Sequence, residues 1–215
     1  MLLSDMMDEI FDFLKFSLFP SISTFFSAID MVPIYWFCGF VLFFHISEAL
    51  LALVQMADKF SIGSLLISVP YLIAMAVGLT EYFVEAYFFP QMKPRIVMFI
   101  GIAVTTFGEF FRKAAILTNK TFTHMIRTHK TTSHKLCKKG VYSFSRHPSY
   151  FGWFWYAVGT QIILCNPFSI LAFAFVEYIF FRDRIRYEES LLVIFFGDEY
   201  IQYKKDVPTR IPFIK

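Results

Sequence analysis

Two long, nearly continuous apolar runs, Pro33 to Ala57 and Ser64 to Phe89, constrain this chain more than any other feature. A helix that crosses the hydrocarbon core needs about 20 mostly apolar residues, and both runs reach that length. Ile96 to Phe111 is shorter, but it borrows Lys93-Pro94-Arg95 and Arg112-Lys113 as interfacial ends. Ile10 to Ile29, interrupted by Lys15 and Pro20, is read as a further span. Two shorter apolar pieces, Tyr150 to Leu164 and Phe168 to Phe181, flank Asn166-Pro167. Asn-Pro initiates turns, so these pieces predict a tight helical hairpin of tilted or incomplete spans. Gly152 and Gly159 lie two turns apart and let a neighbouring helix come close. The expected fold is therefore an all-α integral membrane protein of about six membrane helices, with both termini on the cytoplasmic side. Composition agrees: 17% of residues are charged and 57% hydrophobic, where a soluble domain carries about 25% charged.

Charge divides the chain near residue 111. Residues 1–111 hold four basic side chains against ten acidic ones, whereas residues 112–215 hold sixteen basic against seven acidic. Nine of those sixteen fall between Arg112 and Arg146, where there is no Asp or Glu. A cationic stretch beside apolar spans marks a cytoplasmic loop; because these charges flank membrane segments, they argue against nucleic acid as a partner. The expected division is N-terminal membrane helices over 1–111 and a second region over 112–215. That region would hold an interfacial helix and loop at Thr118 to Arg146, the hairpin, and an amphipathic cytosolic helix and tail from Arg182 to Lys215. Gly197 breaks the C-terminal helix, and Pro208 and Pro212 end regular structure. Cys38, Cys137 and Cys165 form no CxxC and indicate neither a disulfide framework nor a metal site. The acidic N-terminus lacks the basic region of a cleaved signal peptide, so the first apolar helix is expected to be retained.

The common soluble catalytic signatures are absent: no GxGxxG after a strand, P-loop, GxSxG or HExxH. The polar block must carry the chemistry. His124, His129, His134 and His147 sit in the basic stretch, and Tyr142, Arg146, His147 and Tyr150 gather before an apolar helix whose first turn suits Pro148. This places Arg146-His147-Pro148 at the membrane–water boundary, where Arg, His and Tyr also serve as plain anchors. Arg184 and Glu188 are spaced i, i+4 and share a helix face, with Arg182, Arg186 and Glu189 on a neighbouring one. They are either surface ion pairs or a wall offering one fixed cation and one fixed anion. Ionisable residues within membrane helices are functional candidates by default. Here His45 with Glu48, Glu81, Glu85 and Glu109 are expected to be structural, His45 and Glu48 satisfying each other at i, i+3.

Several blocks resemble the isoprenylcysteine carboxyl methyltransferase family: Phe43-Phe44-His45-Ile46-Ser47-Glu48, Gly108-Glu109-Phe110-Phe111-Arg112-Lys113, and His134-Lys135-Leu136-Cys137 leading through Tyr142 to Arg146-His147-Pro148-Ser149-Tyr150. Leu164-Cys165-Asn166-Pro167, Arg182-Asp183-Arg184, Glu188-Glu189 and the closing Val207-Pro208-Thr209-Arg210-Ile211-Pro212-Phe213-Ile214 extend the likeness over nearly everything after residue 33. The resemblance implies an S-adenosylmethionine-dependent methyltransferase of the endoplasmic reticulum membrane. Its substrates would be prenylated CaaX proteins of the small GTPase type, methylated at the prenylcysteine carboxylate. Carried over position by position, the cofactor site would be His134, Lys135, Leu136, Cys137, Tyr142, His147, Pro148, Ser149, Tyr150 and Glu188, with Arg184 at the substrate and no metal. Arg127 stands where the family pattern has a glutamine beside the cofactor, so that contact is not carried over.

The chemistry suits these residues. An α-carboxylate has a reference pKa of about 3.3–3.7, so it is already ionised near neutral pH and needs no general base. What remains is alignment, for which an arginine fork on the carboxylate is suited; Tyr150 and Trp153 are candidates to face a sulfonium. The rival readings are a methyltransferase for phospholipid amines, a nicotinamide-dependent membrane reductase, and a lipid carrier with Glu81, Glu85 and Glu109 lining a path.

Overall fold

The structure, a computed structural model, describes residue 25 and residues 27–55, 60–131 and 134–215. Its helices are α1 (Val32–Gln55), α2 (Val69–Phe88), α3 (Arg95–Thr118), the single turn α4 (Val141–Phe144), α5 (Pro148–Ile163), α6 (Pro167–Phe196) and α7 (Asp198–Asp206), and no strand occurs among the described residues. Val32–Gln55 and Gly63–Phe88 are long and apolar enough to cross a membrane, as the two longest apolar runs require. The span expected over 10–29 falls almost wholly outside the described residues.

The inner helix of the bundle is α5. Its 16 residues measure about 24 Å at 1.5 Å per residue, short of a hydrocarbon core of about 30 Å, and most of its side chains are buried. It runs along α3 at a separation that only glycine allows. A Cβ on Gly108 would lie 2.3 Å from the Tyr156 backbone nitrogen, and one on Gly152 would lie 2.4 Å from that of Arg112. The close approach expected at Gly152 therefore has α3 as its partner, and α3 brings a glycine of its own to the contact.

A buried ion cluster ties α1 to this pair. Glu48, fully buried on α1, receives Arg112 Nε at 3.0 Å and Nη2 at 2.9 Å, and Lys113 Nζ at 2.7 Å. His124 Nε2 lies 2.8 Å from the same carboxylate. The remaining arm of Arg112, Nη1, donates to Ser149 Oγ at 2.6 Å on the first turn of α5. The expectation that His45 and Glu48 satisfy each other is thus overturned. His45 instead contacts Leu65 O at 2.7 Å and Tyr71 Oη at 2.8 Å. Adjacency along one helix lost to partners brought by tertiary packing.

The α5–α6 hairpin turns at Asn166-Pro167 as expected, and other elements hold the turn. Lys93 Nζ donates to Leu164 O, Cys165 O and Asn166 Oδ1, each at 3.0 Å, and to Glu85 at 2.6 Å. Glu81 of α2 accepts from the backbone N–H groups of Phe168 and Ser169 at 2.8 Å. It thereby caps two donors that the start of α6 leaves unpaired. From that cap α6 runs for 30 residues without a break, so the second hairpin arm and the expected cytosolic helix from Arg182 are one rod. Gly197, at φ +56°, ends it. The tail folds back: Pro208 O accepts from Arg146 N at 3.1 Å, and Thr209 O from Ser145 Oγ at 2.6 Å. Within Thr118 to Arg146, where an interfacial helix is expected, the described residues form turns and bends followed by the single turn α4.

Two consequences are measurable by thermal unfolding of the detergent-solubilised protein. Gly152→Ala adds a methyl against a backbone atom that cannot yield, and should cost about 1–3 kcal/mol in spite of alanine's better helix propensity. An unchanged or raised midpoint would show that α3 and α5 are not this close. Glu48→Ala leaves Arg112 buried without its anion, while Lys113 keeps Glu109 at 3.3 Å, and should cost about 3–5 kcal/mol.

Candidate active site

Between the 119–131 strap, the 134–137 segment, the start of α5 and the outer half of α6 lies a cavity of about 840 Å³. Every residue that the resemblance carries to the cofactor or substrate lines it: His134, Lys135, Leu136, Cys137, Tyr142, His147, Pro148, Ser149, Tyr150, Arg184 and Glu188. Pro148 opens α5 within its first turn, where a missing N–H is harmless. This is why His147, Ser149 and Tyr150 reach the cavity together. The Tyr150 hydroxyl is the pivot. It accepts from Arg184 Nε at 2.9 Å and donates to Glu188 Oε2 at 2.7 Å. Arg184 and Glu188 therefore do not pair with each other, although their i, i+4 spacing allows it. Arg184 Nη2 also donates to the His124 carbonyl at 2.9 Å, which ties the α6 arginine to the strap that Glu48 anchors.

Other parts of the wall are set from outside it. His134 packs edge-on against Phe195 and Phe196. Burial, with Arg127 and Lys130 nearby, holds its imidazole pKa below the ordinary value. Burial pushes the Tyr142 hydroxyl up, and its backbone carbonyl accepts from Tyr203 Oη at 2.6 Å. Four buried polar atoms of wall residues, Arg127 Nε, His134 Nδ1, Arg146 Nη2 and Tyr200 Oη, have no hydrogen-bond partner among the described residues. A roomy cavity whose largely apolar wall carries charged side chains, with the Glu188 carboxylate partly open, fits a zwitterionic nucleoside such as S-adenosylmethionine.

A second, more open cavity adjoins the first. Its wall is Met125, Ile126 and Thr128 of the strap and Val176, Ile179, Phe180, Asp183, Arg184 and Tyr187 of α6. Met125, Ile126, Thr128, Phe180 and Arg184 line both spaces. Arg184 thus stands where a chamber with charged side chains in its wall meets a more apolar groove.

Several residues hold positions that the sequence did not reveal. Arg146 is buried and does not face the chamber as a free cation: its Nε donates to Glu189 at 2.6 Å and its Nη1 to Val207 O at 3.1 Å. Glu189, expected on a helix face beside the site, is the centre of a buried cluster with Arg146, His147 at 3.1 Å and Lys204 at 2.5 Å. Burial raises its pKa, but these three groups prevail and hold the carboxyl below the usual range. The aromatic faces suggested for a sulfonium are occupied by the protein's own cations: Arg112 lies 5.3 Å from the Trp153 ring and Arg184 5.4 Å from Tyr150. Glu177, which accepts from the Trp153 indole N–H at 2.9 Å, was legible as an ionisable residue inside an apolar run. The carrier reading finds no support, since Glu81, Glu85 and Glu109 line neither cavity.

The model of the isoprenylcysteine carboxyl methyltransferase family matches residues 100–194. Protein-S-isoprenylcysteine O-methyltransferase B of Arabidopsis thaliana is 44% identical over 177 residues, spanning 81% of this chain and 90% of that protein. The Homo sapiens protein-S-isoprenylcysteine O-methyltransferase is 40% identical over 184 residues, spanning 84% of this chain and 65% of that one. A solved structure of the eukaryotic intramembrane Ras methyltransferase ICMT superposes with a TM-score of 0.80 at 42% identity, covering 85% of this chain and 68% of that chain. Sequence and fold agree, and the chain belongs to the isoprenylcysteine carboxyl methyltransferase family.

Proposed function

We propose that this chain transfers a methyl group from S-adenosylmethionine to the C-terminal carboxylate of prenylated cysteine in CaaX-processed proteins of the small GTPase type. On this reading it works in the endoplasmic reticulum membrane through six spans, with residues 112–215 as the catalytic region facing the cytosol. One observation carries the proposal: Arg184 lines both the chamber, with its charged side chains, and the apolar groove. A prenylcysteine is a carboxylate joined to a hydrocarbon chain, and this junction is shaped for that combination.

When bound, S-adenosylmethionine supplies a methyl group on a positively charged sulfur. The chain's own residues do the rest. Glu188, fixed by Tyr150, offers its carboxylate to the ammonium group. His134 to Cys137, Tyr142 and His147 to Tyr150 form the wall around the nucleoside. Arg184 holds the acceptor carboxylate by charge-assisted hydrogen bonds; its Nε and Nη2 are already placed by Tyr150 and the strap. Because the acceptor is ionised at neutral pH, no side chain need remove a proton. Direct displacement then asks only that carboxylate, methyl and sulfur be aligned, with water kept from the chamber so that the charged contacts strengthen. The groove receives the prenyl chain from the side while its protein remains in the cytosol.

The test is purified protein with methyl-labelled S-adenosylmethionine and N-acetyl-farnesylcysteine, read as a base-labile methyl ester. Donor binding without ester formation would sink the proposal. Arg184→Ala should lower kcat/KM for the prenylcysteine by roughly a hundredfold while donor affinity stays within a few-fold. If prenylcysteine methylation survives Arg184→Ala, the role given to this residue is wrong.

A further inference from the structure

Two helices mark the same depth on one side of the molecule. On α6, Phe168, Leu171 and Phe175 are exposed along one stripe, an apolar surface suited to lipid. The stripe ends at Tyr178 and Arg182, whose guanidinium lies 5.7 Å from the Tyr178 ring. On α3, the exposed Phe107 and Phe110 are followed in sequence by Arg112 and Lys113. A change from exposed apolar to cationic side chains is the pattern of a membrane boundary. The tail after α7 meets both marks. Phe213 rests edge-on against Tyr178, with ring centroids 6.4 Å apart. The Arg210 guanidinium lies 4.7 Å from the ring of Phe144, which itself packs on Phe111 of α3.

We infer that this tail is a docking surface for an anionic phospholipid of the adjoining leaflet, with Arg210 on the headgroup phosphate and Phe213 lodged at the acyl boundary. Phe213 is 92% exposed, more than any other large apolar side chain among the described residues. Its φ is +62° and that of Arg210 +64°, a region that side chains other than glycine seldom occupy. The surrounding contacts hold the backbone there. Ile211, between the two, is buried in the core beside Phe151 and Phe181, and Ile214 N donates to Ile211 O at 3.1 Å. The buried Thr209 hydroxyl donates to Ile214 O and accepts from Ile211 N at 3.3 Å. Arg210 and Phe213 are thus the two side chains that this turn leaves outside. Arg182 is closed on Asp183, whereas Arg210 has no carboxylate partner among the described residues. Its Nε donates to Phe144 O at 3.2 Å, which leaves its other nitrogens for a phosphate. A bare phenyl ring beside a free cation fits an anionic headgroup carried on hydrocarbon. The same tail braces the chamber, since Pro208 O and Thr209 O hold Arg146 and Ser145 just before α5. A lipid seated here therefore steadies that wall.

The experiment is thermal unfolding of the full chain in neutral detergent, titrated with short-chain phosphatidylserine or with phosphatidylcholine of the same chain length. Half of the full rise in midpoint should come at about fivefold less phosphatidylserine than phosphatidylcholine. Arg210→Gln, which keeps a donor for the Phe144 carbonyl and loses the charge, should bring that ratio to within about twofold, and Arg210→Lys should keep most of it. Phe213→Ser should weaken both lipids by a similar factor and leave the ratio in place. Glycerophosphoserine, which has the headgroup and no acyl chain, should shift nothing at the same concentrations. An equal response of the unaltered protein to the two lipids overturns the inference, as does a ratio that survives Arg210→Gln or is lost in Arg182→Gln instead. A shift by glycerophosphoserine as large as that by the lipid overturns it as well, since the site would then take free anions. No methyl transfer enters these measurements, so the proposed function can fail while lipid docking stands.

Discussion

The carboxylate of Glu48 is the interaction on which the rest of the site depends. An isolated ionised carboxylate inside a helix bundle carries a desolvation penalty of several kcal/mol, so Glu48 is tolerable only because cations converge on it. Arg112 and Lys113 come from α3 and His124 from the strap. Each has a second attachment: Arg112 holds Ser149 on α5, and the backbone carbonyl of His124 holds Arg184 on α6. One buried anion on the first described helix thus fixes the start of α5 and the reach of α6, though neither touches it. An apolar replacement could fill the same volume, but it could not set the relative positions of four segments.

The close packing of α3 and α5 makes this possible. Because glycines remove the side chains between them, the Arg112 backbone lies against Gly152, and its guanidinium can reach Ser149 in one direction and Glu48 in the other. The hairpin turn is fixed at the opposite end of α5. There the Lys93 ammonium collects the carbonyls that the end of α5 leaves free, and Glu81 takes the amides at the start of α6. With both ends held, α6 is a rigid lever, and Arg184 and Glu188 are presented from a rod rather than a loop.

Features set by local pattern were legible in the sequence, and those set by distant pairing were not. Apolar length announced α1 and α2, Asn166-Pro167 announced the hairpin, Gly197 announced the end of α6, and Gly152 announced close packing. The Arg146-His147-Pro148 block lies in the cavity wall, where Arg146 gives its Nε to Glu189 and its Nη1 to the Val207 carbonyl of the C-terminal tail. Glu48 and Arg112 are 64 positions apart, and Arg146 and Glu189 are 43 apart. No periodicity links such pairs, so spacing favoured the nearer partners, His45 for Glu48 and Arg184 for Glu188. The segment after α3 was overread because basic residues near an apolar span suggest an interfacial helix. Its polar side chains instead bond back to their own backbone and to distant carboxylates, as Asn119 does with Thr121 at 3.1 Å and His124 with Glu48.

The position of Tyr150 explains how opposite charges can share a face of α6 and both stay available. At i, i+4 an arginine and a glutamate close on each other by default, and a closed pair would offer a ligand neither charge. The phenol sits between them, accepting from the guanidinium and donating to the carboxylate, so each is held at hydrogen-bond length from a neutral group. Its ring is fixed in turn by stacking on Phe181 and His147. The charges are therefore oriented without being neutralised. The reaction proposed above needs that condition, and a neutral phenol meets it without adding a charge of its own.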